Sequence, residues 1–424
     1  MSKRLFYLFE IIYNIVNIQK NHKNNELKYK IWVYAIWKGV EFMEFMYGVP
    51  SQLIFREGAA SDIVEIVEDL GLKKILCICS EEAKNIGIVD EIIETLDDEL
   101  IKVFEFKRTA PNATYELTYE ALELAKEKRV QGIIAIGSGG AINLAKAVNV
   151  LYSNPGKLGD FEGFGRVKIN TTPLIAIPMG AGITYSITSF FTAYNAEIFK
   201  GVTVGGKNVS TSISLIDASV ATKLPAESIA LTGMNALSYA VEAYYSKNST
   251  VVTEMNAKKA IELISMSLKD SVNNKKGKDS IEKLMLGSVF SGLACDSSFT
   301  GLIHSISNPL SAYNDVSQTM MNAVMLPHVV MYNGNSDLDK TKKIGKIMGF
   351  DISKVADENV SKEVGKGILA FSKAVNIPTL KDLGITNEEF ELIAEDAMHE
   401  SSTYFNPDIP SKERIIEILN SAIE

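Results

Sequence analysis

The stretch "GIIAIGSGGAINLAKAV", residues 132–148, decides the fold of this chain. A run of aliphatic residues typical of a buried strand leads into a turn and then into a helical pattern. The turn holds Gly137, Ser138, Gly139 and Gly140. Glycines let the backbone approach a phosphate closely, and the N–H groups at a helix N-terminus favour an anion. We expect this turn to bind the pyrophosphate of a dinucleotide; the alternative is a tight strand-to-helix turn without a ligand.

The chain around this turn alternates between strand and helix patterns up to about residue 217. Short aliphatic runs such as "KKILCIC", "IKVFEF" and "PLIAIP" alternate with helical stretches such as "ELTYEALELAKEKR". Such alternation is typical of a parallel sheet with helices on both faces. Further along, strand patterns nearly disappear and long helical patterns follow. The sequence predicts an α/β dinucleotide-binding domain with a parallel sheet over residues 43–217 and an all-α domain over residues 218–424.

Residues 1–42 differ from the rest of the chain. They hold both tryptophans, Trp32 and Trp37, and no proline. Glu10 and Asn14 interrupt their apolar stretch, which is too short for a membrane span. We expect an atypical N-terminal extension that docks loosely or results from an upstream start codon. The alternative is a peripheral amphipathic helix on a membrane surface.

Composition and charge exclude several classes of protein. The formal net charge is -9 and no basic stripe stands out, whereas phosphate backbones are bound by clustered Lys and Arg, so we expect no nucleic-acid partner. The three cysteines, Cys77, Cys79 and Cys295, include no C-x-x-C pair, which argues against a disulfide framework and a zinc knuckle. We therefore expect a cytoplasmic protein without stable membrane insertion.

At this point the residues resemble a known family. The run "PNATYELTYEALELAKEKRVQGIIAIGSGGAINLAKAVNVLYSNPG" and the segments "LPAESIALTGMNALSYAVEAY", "GLIHSISNPLSAYNDVSQ" and "NAVMLPHVVMYN" are similar to the iron-containing (group III) alcohol dehydrogenases. These enzymes are relatives of dehydroquinate synthase and glycerol-1-phosphate dehydrogenase. The resemblance covers residues 43–424 in order. It implies an active site in the cleft between the two predicted domains, and a homo-oligomer.

The resemblance breaks at the metal site. Where the family holds its metal with an Asp and three His residues, this chain has Asn235, Tyr239, His304 and Gln318. A further His of the family, usually near the substrate, is Asn308 here. Fe(II) and Zn(II) prefer imidazole, thiolate and carboxylate ligands, and neutral amides and a protonated phenol bind them weakly. We expect a degenerate site without a bound metal.

The resemblance also assigns a site for NAD or NADP. The family segment "GGGSxxDxAK" corresponds to Gly137, Ser138, Gly139, Gly140, Asn143 and Lys146, which keeps the backbone cradle. The family loop "PTTAGTGSE", whose hydroxyls contact the cofactor, reads "PMGAGITYS" over residues 178–186. Three further residues are assigned to the cofactor: Glu81 at the ribose, Asn112 near the adenosine, and Lys200. For both lysines the alternative is a solvated position.

Tyr239 and His304 are the candidate catalytic residues. A phenol that donates a proton to a carbonyl needs its pKa lowered from the usual value of about 10, and His304 is the neighbour that would lower it. The alternative is a buried Tyr239 that is held by Asn235. For His328 we expect a structural hydrogen-bonding role.

The residues leave two main functions open. The first is an NAD(P)-dependent oxidoreductase of the alcohol dehydrogenase kind, which acts on a small carbonyl or alcohol substrate without depending on a metal. The alternative is a catalytically inactive homologue that binds a nucleotide or another ligand and has a regulatory role. A lyase or synthase reaction of the wider superfamily is disfavoured, because the relatives in question also use a divalent metal.

Overall fold

Parallel strands organise the first half of the chain and helices the second half. The protein is seen here in a computed structural model, which describes residues 45, 47–109, 111–195, 200–274 and 277–423. Residues Gly48–Glu424 form one compact unit, which contains every element named below. The expected N-terminal extension, residues 1–42, lies outside the described residues.

A six-stranded parallel sheet forms the centre of the N-terminal region. The strands in chain order are β1 (Gln52–Phe55), β2 (Lys74–Cys79), β3 (Lys102–Phe106), β4 (Gly132–Gly137), β5 (Gly163–Phe164), β6 (Leu174–Pro178), β7 (Phe190–Asn195), β8 (Lys200–Gly205) and β9 (Ile213–Ile216). The large sheet has the order β1-β9-β6-β4-β2-β3, and all its pairs are parallel. A second sheet has the order β5-β8-β7, with β7 and β8 antiparallel. Strands β4 and β6 are buried along their whole length, as expected for a sheet covered on both faces.

Seven helices accompany these strands among the described residues. They are α1 (Ile63–Asp69), α2 (Glu81–Asn85), α3 (Ile88–Asp98), α4 (Tyr115–Lys128), α5 (Gly139–Ser153), α6 (Thr184–Ile187) and α7 (Ala218–Ala221). Side-chain caps fix three of the starts: Ser80 accepts from the Ala83 N–H at 3.2 Å, Thr114 from the Leu117 N–H at 3.2 Å, and Asp217 from the Ser219 N–H at 2.9 Å.

The C-terminal region is helical in the part of the chain that the structure describes. Its helices are α8 (Ala226–Tyr245), α9 (Val251–Asn273), α10 (Lys278–Ser298), α11 (Leu302–Asn314), α12 (Gln318–Asn333), α13 (Leu338–Ile347), α14 (Val360–Ala374), α15 (Phe390–His399) and α16 (Lys412–Ile423). Helix α8 is buried almost all round and contacts α9, α10 and α12, so it is the central helix of this region. No described helix is long and apolar enough to cross a membrane.

The predicted fold class is confirmed, and the sheet order locates the site. The chain runs from β2 outward to β3 and then returns to β4 on the other side of β2, so the strand order reverses between β2 and β4. Ligands of open α/β sheets bind at the carboxyl ends of the strands at such a reversal. The small sheet was not predicted, because β7 is buried from Phe190 to Tyr194 and does not alternate between apolar and polar residues.

Candidate active site

The glycine turn follows β4 at the reversal of strand order. Gly137 has φ +154°, and a Cβ at this position would come within 2.9 Å of the Cβ atoms of Ser80 and Ala141. A Cβ on Gly139 would lie 2.7 Å from Cζ of Tyr185. Both positions therefore require glycine, since a side chain would strike a neighbour on each side of the turn.

A cleft opens in front of this turn. It contains about 860 Å³ of space between atoms, part of it open to solvent. Two sides of it come from the N-terminal region, including Ser138 and Gly140 of the turn and Glu81 and Glu82 of α2. The remaining wall comes from helices α8 and α12 and the residue before α12: Ser228, Leu231, Thr232, Ser317 and Thr319.

Of the predicted cofactor residues, Glu81, Ser138 and Gly140 line the cleft. Thr109 donates its hydroxyl to Oε2 of Glu81 at 3.2 Å. The neighbouring Glu82 accepts from the Ser228 hydroxyl, which joins the N-terminal region to α8. Two adjacent carboxyl groups thus stand at the carboxyl end of β2, where a ribose would meet them.

Asn112 and Gly139 border a smaller cavity deeper in the molecule. The Asn112 amide donates to Oγ of Ser311 at 3.0 Å and to the Val316 carbonyl at 3.2 Å. Its oxygen accepts from the Gln318 N–H at 3.1 Å. Asn112 therefore fixes the connection between α11 and α12, and its predicted contact with an adenosine stays a prediction.

The two predicted lysines lie in different environments. Lys146 is fully buried, and its ammonium donates to the carbonyls of Tyr185, Thr188 and Phe190 at 2.7, 2.5 and 3.1 Å. All three of its donors are thus used to hold residues 185–190, and burial lowers its pKa to about 7. Lys200 is exposed at the start of β8, where it pairs with Glu162 at 3.0 Å. The structure does not bring these two lysines together.

The four positions of the family's metal site come from α8, α11 and α12, and their side chains bond to protein partners. Asn322 Nδ2 donates to Oδ1 of Asn235 at 2.9 Å and to Nε2 of His304 at 3.1 Å. Gln318 donates its amide to Oδ1 of Asn308. Asn322 was not singled out in the sequence, and it joins two of the predicted positions.

Glu242 is the partner of His304 that the sequence analysis missed. One carboxylate oxygen of Glu242 bonds to Nδ1 of His304, and the other accepts from the N–H groups of Ile303 and His304 at 2.6 and 3.2 Å. Because a carboxylate can only accept a hydrogen bond, Nδ1 of His304 donates to Glu242, and the contact with Asn322 fixes the other edge of the ring. Glu242 lies seven residues after Asn235 and three after Tyr239, and this helical spacing was the signal available in the sequence.

Tyr239 lies against His304 but does not have the expected lowered pKa. The two ring centroids are 4.2 Å apart, and the Tyr185 ring meets Tyr239 edge-on at 5.8 Å. Burial, followed by the neighbouring Tyr185 hydroxyl, raises the pKa of Tyr239 well above its usual value. The expectation that His304 lowers this pKa is therefore wrong: Tyr239 stays protonated and can act as a hydrogen-bond donor. The alternative partner, Asn235, uses its oxygen for Asn322 instead.

Asn308 connects this network to the end of α15. Its oxygen accepts from the Tyr194 hydroxyl at 3.3 Å as well as from Gln318, and its amide donates to Glu400 at 2.9 Å. Burial raises the pKa of Glu400 to about 7. We predicted a structural hydrogen bond for His328. Its Nδ1 lies 2.9 Å from the Ser421 hydroxyl, and this bond is within the helical region.

Tyr239 and His304 line an aromatic pocket. It contains about 480 Å³ of space between atoms, including space open to solvent. Its polar lining includes Tyr239, His304, Asn308 and Gln318. Five phenylalanines form much of its wall: Phe164, Phe190, Phe191, Phe299 and Phe405. Phe299 has φ +63°, which is costly for a bulky residue, and its ring contacts those of Phe164 and Phe405.

Known proteins share both regions that build this site. The family described as "Iron-containing alcohol dehydrogenase" matches residues 50–218, and "Fe-containing alcohol dehydrogenase family, C-terminal" matches residues 229–423. The chain belongs to the iron-containing alcohol dehydrogenase family. The family resemblance noted in the sequence is thereby confirmed.

Individual members of the family are similar over nearly their whole length. Alcohol dehydrogenase 4 of Saccharomyces cerevisiae is 30% identical over 379 residues, which cover 89% of this chain and 98% of the yeast protein. Lactaldehyde reductase of Escherichia coli is 26% identical over 87% of this chain and 97% of its own. A crystal structure of 1,3-propanediol oxidoreductase superposes with a TM-score of 0.84 at 27% identity, and covers 89% of this chain and 100% of that one.

The iron that gives the family its name does not fit the residues present here. The four family positions offer one imidazole, two amides and a phenol whose raised pKa keeps it protonated. Both ring nitrogens of His304 and the amide nitrogen of Gln318 already bond to protein groups. Among the described residues, no group of three or more His, Cys, Asp and Glu side chains is arranged to hold a metal ion. This donor set lacks the carboxylate and the further imidazoles that Fe(II) or Zn(II) requires.

Proposed function

We propose that this protein is an NAD-dependent oxidoreductase that interconverts a small aldehyde or ketone and its alcohol without a resident divalent metal. The observation that carries the proposal is Tyr239 beside His304, which is bonded to Glu242, in the lining of an aromatic pocket that shares residues with the cavity next to the glycine-turn cleft. The family relatives that act on small alcohols and aldehydes support this reaction class.

Charge in the cleft supports NAD over NADP. Glu81 and Glu82 both line the cleft next to the expected ribose position. A carboxylate accepts hydrogen bonds from the two ribose hydroxyls of NAD but repels the 2′-phosphate of NADP. The turn residues Gly137, Ser138, Gly139 and Gly140 would hold the pyrophosphate through their backbone N–H groups.

We assign the proton chemistry to Tyr239, which His304 positions. A bound NADH would supply a hydride to the carbonyl carbon, and the carbonyl oxygen would then have to gain a proton. A protonated Tyr239 donates a hydrogen bond to that oxygen first and then its proton, because an alkoxide is a stronger base than a phenolate. The resulting phenolate would recover its proton from solvent in the aromatic pocket, which is partly open, and His304, held by Glu242, would fix the position of the Tyr239 ring. The hydrogen bond from Tyr239 would take the place of the Lewis acid in a metal-dependent alcohol dehydrogenase.

The remaining organisation is proposed on the same basis. We infer two domains, residues 43–217 and 218–424, because the two family descriptions divide the chain between residues 218 and 229. A homo-oligomer in the cytoplasm is proposed from the resemblance to the family and from the charge and cysteine content of the chain.

The test combines metal analysis, cofactor binding and turnover. Purified protein is assayed for bound iron and zinc, titrated with NADH and NADPH by calorimetry, and followed by nicotinamide absorbance with a panel of aldehydes. We expect NADH binding and aldehyde-dependent oxidation that EDTA does not change. Tyr239→Phe should lower kcat about 10²-fold or more. Turnover that EDTA abolishes and Fe(II) or Zn(II) restores would refute metal independence, and NADH binding without any turnover would favour the inactive homologue.

A further inference from the structure

Tyr185 stands between the glycine turn and the proposed catalytic residues. The ring atoms of Tyr185 lie against Gly139, where an added Cβ would be 2.7–3.2 Å from three of them. The ring also meets that of Tyr239 edge-on, with the two centroids 5.8 Å apart. The hydroxyl of Tyr185 lies 3.1 Å from Oγ1 of Thr319, so it forms a hydrogen bond with helix α12. Tyr185 is thus fixed on three sides and only 3% exposed.

The cavities on the two sides of this ring form one path. The cleft shares Pro111, Gly140 and Thr319 with the smaller cavity next to Asn112, which contains about 200 Å³ of space between atoms. That smaller cavity shares Asn143, Tyr185 and Gln318 with the aromatic pocket. Tyr185 therefore lines the last two spaces and not the cleft, so its side chain stands where the path enters the pocket.

The proposed hydride transfer requires a nicotinamide ring to lie in this path. The phosphates of a dinucleotide bound at Ser138 and Gly140 would place its adenosine half in the open cleft near Glu81. Its other half would have to extend past Gly139 toward Tyr239 to reach a carbonyl in the aromatic pocket. In the observed rotamer, the Tyr185 ring and its bond to Thr319 occupy that approach.

We propose that Tyr185 closes the inner end of the cleft, so that the protein as seen here accepts a nucleoside diphosphate and admits a complete nicotinamide dinucleotide only when Tyr185 moves aside. The inference rests on the proposed function in one respect, which is that the cleft binds the adenosine diphosphate half of the cofactor. It assigns Tyr185 as the residue that selects ligand length. Opening requires loss of the Thr319 hydrogen bond and of the edge contact with Tyr239.

Calorimetric titration with ADP and NADH, on the full chain, tests the proposal. For the parent protein we expect NADH to bind no more than threefold tighter than ADP. The nicotinamide half contributes little binding free energy while the Tyr185 side chain blocks the inner end of the cleft. Tyr185→Ala should tighten NADH at least tenfold and leave ADP within twofold. Tyr185→Phe, which loses only the hydrogen bond, should give a smaller gain for NADH.

Two more variants keep the test decisive if Tyr185→Ala unfolds. Thr319→Val removes one hydroxyl partner of Tyr185 and leaves its ring and its bonds to Tyr239 and Asn235, so it should tighten NADH binding no more than Tyr185→Phe does. Tyr245→Phe is the matched control, because its buried hydroxyl lies 2.7 Å from a threonine, Thr341, inside the helical region. It should leave both affinities unchanged.

The outcomes separate this inference from the proposed function. If Tyr185→Ala weakens NADH, Tyr185 stacks on the cofactor instead of excluding it, and the inference is wrong. It is also wrong if ADP and NADH change equally, or if neither nucleotide binds the parent protein. If the NADH gain appears but no variant turns over any aldehyde, the gating inference stands and the oxidoreductase proposal fails.

Discussion

Replacement of Glu242 by Gln probes the centre of the proposed site. The carboxylate is 3% exposed and accepts three hydrogen bonds, one from the His304 ring and two from backbone N–H groups at the start of α11. In Glu242→Gln the remaining oxygen can keep both backbone bonds. The new amide nitrogen, however, donates toward Nδ1 of His304, which already carries the proton in the parent protein. The imidazole must then shift its proton to Nε2, where the Asn322 amide also donates.

The cost of this change follows from the bonds affected. A hydrogen bond to a charged group contributes about 1.5–3 kcal/mol and a neutral one about 0.5–1.5 kcal/mol, so we expect Glu242→Gln to lose about 1–2 kcal/mol of unfolding free energy. Glu242→Ala leaves three buried donors unpaired and should lose about 3–5 kcal/mol. Because the His304 ring packs against Tyr239, displacement of the imidazole should also lower kcat by about 10²-fold.

Urea unfolding and a double-mutant cycle measure these terms. Glu242→Gln is combined with His304→Leu, and the coupling free energy should exceed about 1 kcal/mol because the two side chains are in direct contact. Circular dichroism establishes that each variant folds before its turnover is measured. A loss below about 0.5 kcal/mol for Glu242→Gln, or additive single and double variants, would refute the reasoning.

Three further changes test other parts of the structure. Lys146→Met leaves the carbonyls of Tyr185, Thr188 and Phe190 without their donor and should lower the unfolding free energy, measured in urea, by about 2–4 kcal/mol. Lys200→Met, at an exposed position, should lower it by less than about 1 kcal/mol. Equal effects would contradict a structural role for the buried Lys146 ammonium. Burial raises the pKa of Glu400 from 4.5 to about 7. The protonated carboxyl therefore stabilises the fold fully below pH 4.5, and this contribution is lost as the pH rises through 7. Glu400→Gln should flatten the pH dependence of the unfolding free energy between these values, and an unaltered profile would count against the assignment. Glu81→Arg should raise the affinity for NADPH relative to NADH about tenfold, or about 1.4 kcal/mol, as measured by calorimetry. An unchanged ratio of the two affinities would exclude Glu81 from the ribose site.

Sequence patterns were sufficient for the fold and for part of the site. The aliphatic run of β4, the glycines after it and the helical pattern of α5 predicted a strand-turn-helix unit that the structure contains. The positions of Asn235, Tyr239 and His304 were predicted from the resemblance to the family's metal-binding segments, since helical spacing alone relates only Asn235 and Tyr239. The environment of Lys146 could not, since it depends on carbonyls of a loop about 40 residues away in sequence.

Tyr185 and Glu242 show why the rest of the site escaped prediction. Tyr185 lies in the single-turn helix α6, which is too short to carry a periodic signal, and its contact with Gly139 arises only when β4 and β6 pair in the folded sheet. In the sequence, Glu242 is one polar residue on a largely apolar helix. Its structural role appears only in the fold, where it accepts hydrogen bonds from two backbone N–H groups at the start of α11, about 60 residues away in sequence.

Residues that differ from the family's motifs lie in contact with one another. Tyr185 belongs to the loop whose family hydroxyls contact the cofactor, and Tyr239 occupies a family metal position; their rings are in contact. The Tyr185 hydroxyl bonds to Thr319, the residue next to Gln318, which is another metal position. Since each of these side chains fills space beside another, replacing one alone should leave a gap or an unpaired hydroxyl at its neighbour. We therefore infer that the cofactor loop and the former metal site function as one coupled unit, in which restoring a metal ligand such as Asn235→Asp is insufficient while Tyr185 and Tyr239 remain.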